Sequence, residues 1–120
     1  MASEKLFEGK IRAFLRMRSA SWHVKYWGGG LHTTSGVPDI LACVQGVFLA
    51  VEVKADHGRP SMLQLKQLES IHRACGRAVL LYPKDFDGFK KWVSHGCAMD
   101  GWYQDNIRLQ KTWMETLDEN

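Results

Sequence analysis

Between residues 6 and 18 the apolar side chains Phe7, Ile11, Phe14 and Leu15 recur at the three-to-four-residue spacing of a helix with one buried stripe. Residues 21–26 (SWHVKY) instead alternate and are rich in β-formers, which predicts a strand. A loop follows from Gly28-Gly29-Gly30 to Gly36, without the GKS/T of a phosphate-binding loop. Residues 39–44 and 47–54 are apolar, β-branched runs on either side of Gln45-Gly46, a two-residue hairpin signal because glycine accepts the positive φ such turns require. Both runs are apolar on both faces, the pattern of central strands covered by helices on each side.

Residues 61–75 predict a second helix: Ser61 and Gln64 form an S-x-x-Q capping box, Leu65, Leu68, Ile71, His72 and Cys75 form the stripe, and Gly76 stands where a C-terminal cap belongs. Residues 78–82 read as another buried strand, ended by Pro83. Residues 86–95 read as a third helix with Phe86, Phe89, Lys90 and Val93 on one side, and 101–117 as a helical tail. The order α-β-β-β-α-β-α predicts a mixed α/β sandwich.

Composition narrows the class. A chain of 120 residues with 45% hydrophobic side chains fits one domain, able to bury roughly 65% of its unfolded surface without disulfide or metal staples. Its longest apolar stretches, 47–51 and 78–82, fall far short of the ~20 residues of a membrane span. The opening MASEKLFEGK lacks the apolar core of a signal peptide, so a cytoplasmic protein, or one of the host cytoplasm if viral, with no membrane partner is expected. Cys43, Cys75 and Cys97 are odd in number and lack CxxC spacing, which predicts reduced, small hydrophobes. The formal net charge of +3 comes from residues 1–60, with 8 basic and 5 acidic side chains, whereas residues 61–120 balance at 8 and 8. Lys5, Lys10, Arg12, Arg16 and Arg18 form a basic row on the first helix that faces either phosphates or water.

The candidate chemistry lies in the hairpin. With Gln45-Gly46 as the turn, Val44 pairs with Val47, Leu41 with Ala50, and Asp39 with Glu52. Two carboxylates then face each other with Cβ atoms about 4.5–5.5 Å apart, which destabilises a fold unless a divalent cation or another positive group holds them. Lys54, two residues after Glu52, shares its face. The alternative is a structural cluster in which Lys54 neutralises both acids at a strand end. Lys25 lies mid-strand, where it is either exposed or in need of an anion. His23, His32, His57, His72 and His95 show no HxxxH or HExxH spacing and read as structural or surface groups.

Val37-Pro38-Asp39, twelve residues, then Glu52-Val53-Lys54 resembles the signature of the PD-(D/E)XK nuclease superfamily. Within it, Ser35-Gly36-Val37-Pro38-Asp39-Ile40, Val51-Glu52-Val53-Lys54 and the downstream Gln64 and Leu68 are similar to the VRR-NUC (virus-type replication-repair nuclease) branch and to Holliday-junction resolvases. With Glu8 the resemblance covers about residues 4–82 and leaves 83–120 as a C-terminal helical extension of a single nuclease domain. It implies a restriction-endonuclease-like core, α-β-β-β-α-β, with a mixed sheet flanked by helices. It also implies a Mg²⁺- or Mn²⁺-dependent DNA endonuclease of replication, recombination or repair, selective for junctions or branches, leaving 5′-phosphate and 3′-hydroxyl ends.

The resemblance casts Asp39, Glu52, the Val53 carbonyl and Glu8 as metal ligands, and Glu8, Asp39, Glu52, Lys54 and Gln64 as the catalytic set. Glu4 competes with Glu8 from the next turn, and Gln64 serves either the site or only the capping box. Lys25, where the family often carries a basic residue, Ser35 of the first motif, and Lys10 and Arg12 of the basic row are the nucleic-acid-binding candidates. The rival readings are a non-catalytic nucleic-acid-binding module of the same fold and an unrelated hydrolase of small phosphoesters. Cutting both strands suggests a homodimer, and Trp92, Trp102, Tyr103 and Trp113 crowd the C-terminal third either as its interface or as local packing.

Overall fold

The computed structural model describes residues 3–28 and 33–119. Of the expected glycine loop, Gly29, Gly30, Leu31 and His32 lie outside the described residues. The elements are α1 (Glu4–Arg16), β1 (Ser21–Lys25), β2 (Ile40–Val44), β3 (Val47–Val53), α2 (Met62–Arg73), β4 (Arg77–Leu81), a 3-10 turn (Pro83–Asp85), α3 (Phe86–Ser94) and α4 (Gly101–Asp118). This is the expected order of α and β elements around a mixed sheet. Helix α1 starts two residues before its apolar stripe suggests, because the Ser3 hydroxyl accepts from the Leu6 amide at 3.0 Å and caps it there.

The sheet runs β1-β2-β3-β4, antiparallel until the parallel β3–β4 pair that α2 connects. The hairpin holds the expected register, Val44 opposite Val47 and Leu41 opposite Ala50. Gln45 (φ 50°) and Gly46 (φ 83°) both take the positive φ of a type I′ turn, whose twist matches the strands it joins.

Alternation sends β3 residues to two cores. Leu49, Val51 and Val53 join Val79 and Leu81 under Phe7, Ile11 and Leu15 of α1 and Phe89, Trp92 and Val93 of α3. On the other face Ala78, Leu80 and Tyr82 pack against Leu65 and Leu68 of α2, with Leu109 and Trp113 of α4 beside them.

Three expectations are corrected. Strand β2 is not covered on both sides: α2 lies across β3 and β4, leaving Trp22, Val24, Cys43 and Phe48 exposed on a common face. Cys43 and Cys75 are exposed free thiols, and only Cys97 is a buried hydrophobe. Cys75, not Gly76, takes the left-handed turn ending α2 (φ 72°), with Gly76 N–H bonded to the Ile71 carbonyl at 3.0 Å as a Schellman motif requires. Of the two roles open to the C-terminal aromatics, Trp92, Trp102 and Tyr103 take local packing: Trp92 and Tyr103 are buried and stacked on each other at 5.5 Å, and Trp102 packs on Trp92.

Helix α4 also closes one edge of the sheet. Asn106 accepts from the Leu80 amide at 2.9 Å and donates to the Leu80 carbonyl at 2.8 Å, as a neighbouring strand would. The Tyr103 hydroxyl accepts from the Ala78 amide at 3.1 Å, and Gln110 donates to the Ala78 carbonyl at 2.8 Å. These three residues, at i, i+3 and i+7, satisfy backbone groups that water cannot reach. No helix among the described residues is long and apolar enough to cross a membrane.

Candidate active site

Asp39 is aimed by the loop before it. Gly36 adopts φ 78°, and a Cβ there would lie 2.8 Å from the Leu63 backbone, so only glycine lets this loop lie against the start of α2. Gln67 of α2 donates to the Ser35 carbonyl at 3.1 Å, and Pro38 is buried. Asp39 then precedes Ile40, the partner of Val51, which sets it opposite Glu52. Its carboxylate accepts from the Val53 amide at 2.8 Å and its carbonyl from the Tyr26 amide at 2.8 Å.

Glu52 sits at the end of β3, 2% exposed. Its Oε2 lies 3.5 Å from Lys54 Nζ, while Oε1 is buried with no hydrogen-bond partner. Burial first, then the Asp39 charge and a hydrogen bond with Asp39, push its carboxyl up to about 9, with Lys54 pulling the other way. Lys54 alone therefore does not keep Glu52 ionised near neutral pH.

Lys54 is buried, and its Nζ donates to Gln64 Oε1 at 3.0 Å. The same Gln64 oxygen accepts from the Ser61 amide at 2.9 Å while Ser61 Oγ accepts from the Gln64 amide at 3.1 Å, completing the capping box. Gln64 thus completes the capping box and holds the Lys54 ammonium with the same oxygen.

On α1, Glu8 is buried and ion-paired with Lys25 at 2.7 Å. The anion Lys25 needs is Glu8, and its ammonium also lies 4.5 Å from the Trp27 ring centre. Glu4, one turn earlier and exposed, feels the charges of Asp39 and Lys54. Its pKa is raised by partial burial and then by Asp39, against attraction from Lys54. The signal for Glu4 was its i, i+4 relation to Glu8, which puts both on one helix face.

The remaining nucleic-acid candidates are spread out. Lys10 and Ser35 are exposed, whereas Arg12 is half-buried with its Nε 3.4 Å from His23 Nε2. Burial, then Arg12 and Arg16, hold His23 below the usual histidine range. Among the described residues, no cluster of three or more His, Cys, Asp or Glu side chains is arranged to hold a metal, and the acids brought together at this strand end are Asp39 and Glu52. A cavity of about 620 Å³, lined by Phe48 and Ile71, opens at the opposite end of β3 and takes no part in the cluster.

No protein-family model matches this chain, and no curated protein is detectably similar to it.

Proposed function

We propose that this protein is a divalent-metal-dependent DNA endonuclease built on a restriction-endonuclease-like core. The observation that carries the reading is Glu52: a buried carboxyl group, opposite and hydrogen-bonded to a second acid and beside a single buried lysine. Burying two acids with a single ammonium beside them is costly. A purely structural role for Lys54 gives one cation to two acids at this strand end and leaves the second acid unexplained.

Hard oxygen donors from Asp39, Glu52 and the Val53 carbonyl suit Mg²⁺ or Mn²⁺, which keeps most of its waters in such sites. When bound, the ion supplies Lewis acidity at the phosphoryl oxygen and a water of lowered pKa. Lys54, held by Gln64, orients the attacking water and offsets charge building on the phosphoryl group. Glu8 keeps Lys25 in place, which leaves Glu4, with its raised pKa, as the side chain that receives the water's proton. The basic row of α1 supplies phosphate contacts, and branched or junction DNA in replication, recombination or repair is the substrate class. The protein acts as a homodimer, giving one site per strand; with Trp92 and Tyr103 in the core, the exposed Trp22, Val24 and Phe48 face supplies the contact.

The deciding experiment is plasmid nicking with Mg²⁺ against EDTA, followed by a panel of linear, flapped and four-way DNAs. Mg²⁺-dependent nicking lost in Lys54→Ala supports the reading. DNA binding without nicking leaves a non-catalytic binding module, and cleavage of small phosphoesters alone leaves the other hydrolase.

A further inference from the structure

The loop that leaves Lys54 builds a second pocket. A cavity of about 380 Å³, within the range of small-molecule sites, is lined by Asp56, His57 and Arg59 from this loop, Tyr82 and Lys84 beyond β4, and Trp113 of α4. Two permanent positive charges and an imidazole face one carboxylate. The Arg59 guanidinium lies over the Trp113 ring at 5.3 Å, so the pocket presents a stacked cation–aromatic pair. The Tyr82 hydroxyl donates to the Gly58 carbonyl at 2.8 Å and pins the loop over it. Burial raises the Tyr82 hydroxyl above its ordinary range, which keeps it a neutral donor.

The loop that lines the pocket packs against Lys54. A Cβ on Gly58 would lie 3.3 Å from Lys54 Cβ, and the Lys54 amide is bonded to the Leu81 carbonyl, next to Tyr82, at 3.0 Å. Aromatic and guanidinium planes flanked by cations are the chemistry that holds a base and its phosphate. A base can lie on such a plane only if it has left a duplex stack. We propose that this pocket binds one unpaired nucleotide of the substrate, its base on the Arg59–Trp113 pair and its phosphate on Arg59, Lys84 and His57, next to the phosphate that Lys54 faces. The placement beside Lys54 rests on the nuclease reading; the pocket itself does not.

The test is fluorescence anisotropy of labelled single-stranded oligothymidylate in EDTA, with blunt duplex as a second probe. The wild type is expected to bind the single strand more tightly than the blunt duplex. Arg59→Ala with Lys84→Ala, both exposed positions, is expected to weaken single-strand binding about tenfold or more, and Trp113→Leu about tenfold, with Trp113→Phe near wild type because it keeps a stacking face. Circular dichroism checks folding of each variant. Unchanged oligothymidylate affinity in the Arg59/Lys84 variant, or an equal loss on blunt duplex, overturns the proposal. Plasmid nicking is scored separately, so the nuclease reading fails or stands by its own result.

Discussion

Replacing Glu52 by glutamine in metal-free protein tests the physical basis of the site without requiring any activity. The Glu52 carboxyl is held at about 9 in the fold against an ordinary 4.5. Between those values the folded state keeps a proton that the unfolded chain has already released. Stability is therefore full at low pH and declines as pH rises through this window. The loss reaches at most about 1.4 kcal/mol per pH unit, so up to roughly 4 kcal/mol from about pH 5 to about pH 8, less whatever relaxation of the site relieves. Glu52→Gln keeps the shape and removes the proton. Urea unfolding in EDTA across that range should show wild-type stability falling and the variant's curve flatter. The shifts of Glu4 and His23 have causes other than Glu52, so they contribute to both curves and the difference between the slopes reports residue 52 with its Asp39 and Lys54 contacts. Adding Mg²⁺ at tenfold its Kd should return about 1.4 kcal/mol to the wild type at the alkaline end and little to the variant. Parallel slopes, or equal stabilisation of both proteins by Mg²⁺, would refute the argument that Glu52 is a strained carboxylate awaiting a cation.

Asp39→Ala and Lys54→Ala should each abolish Mg²⁺-dependent nicking with unchanged circular dichroism, since both serve the cluster at a strand end; full activity in either would sink the assignment. Calcium should support DNA binding with little or no cleavage, and affinity measured in it should fall with salt as phosphate contacts release counterions; a flat salt response would remove the α1 basic row as the contact. Gln64→Ala should lower stability by about 1 kcal/mol through the lost cap and slow cleavage as well, whereas lost stability with full activity would reduce Gln64 to a helix cap. Asn106→Leu leaves the Leu80 amide and carbonyl unpaired in the interior, so unfolding measurements should register a loss of about 3 kcal/mol, and wild-type stability would show that the edge is not sealed by this residue.

The hairpin was legible because every level agreed: two β-branched runs, a turn dipeptide that tolerates positive φ, and a period of two that leaves one register possible. That register alone places Asp39 opposite Glu52 and Lys54 on the same face. Gln64 was harder, because a capping box and a site contact demand the same residue at the same position. The open face of β2 was missed because an apolar strand looks the same whether or not a helix reaches it; where α2 lies depends on the crossover to β4, which strand composition does not encode. Asn106 and Gln110 carried a usable signal, two amides inside the stripe of an amphipathic helix, but their partners are backbone atoms in a strand far away in the chain. Sequence names no such partner.

The sealed edge at β4 has a consequence for assembly. A sheet with two free edges can add copies without limit, as fibrils do. Here one edge is occupied by side chains of the same chain, and among the described residues β1 pairs with β2 only. Strand-to-strand association is then restricted to a single meeting of β1 with β1, which exhausts the free edges of both copies. Any growth through the backbone of this sheet stops at two.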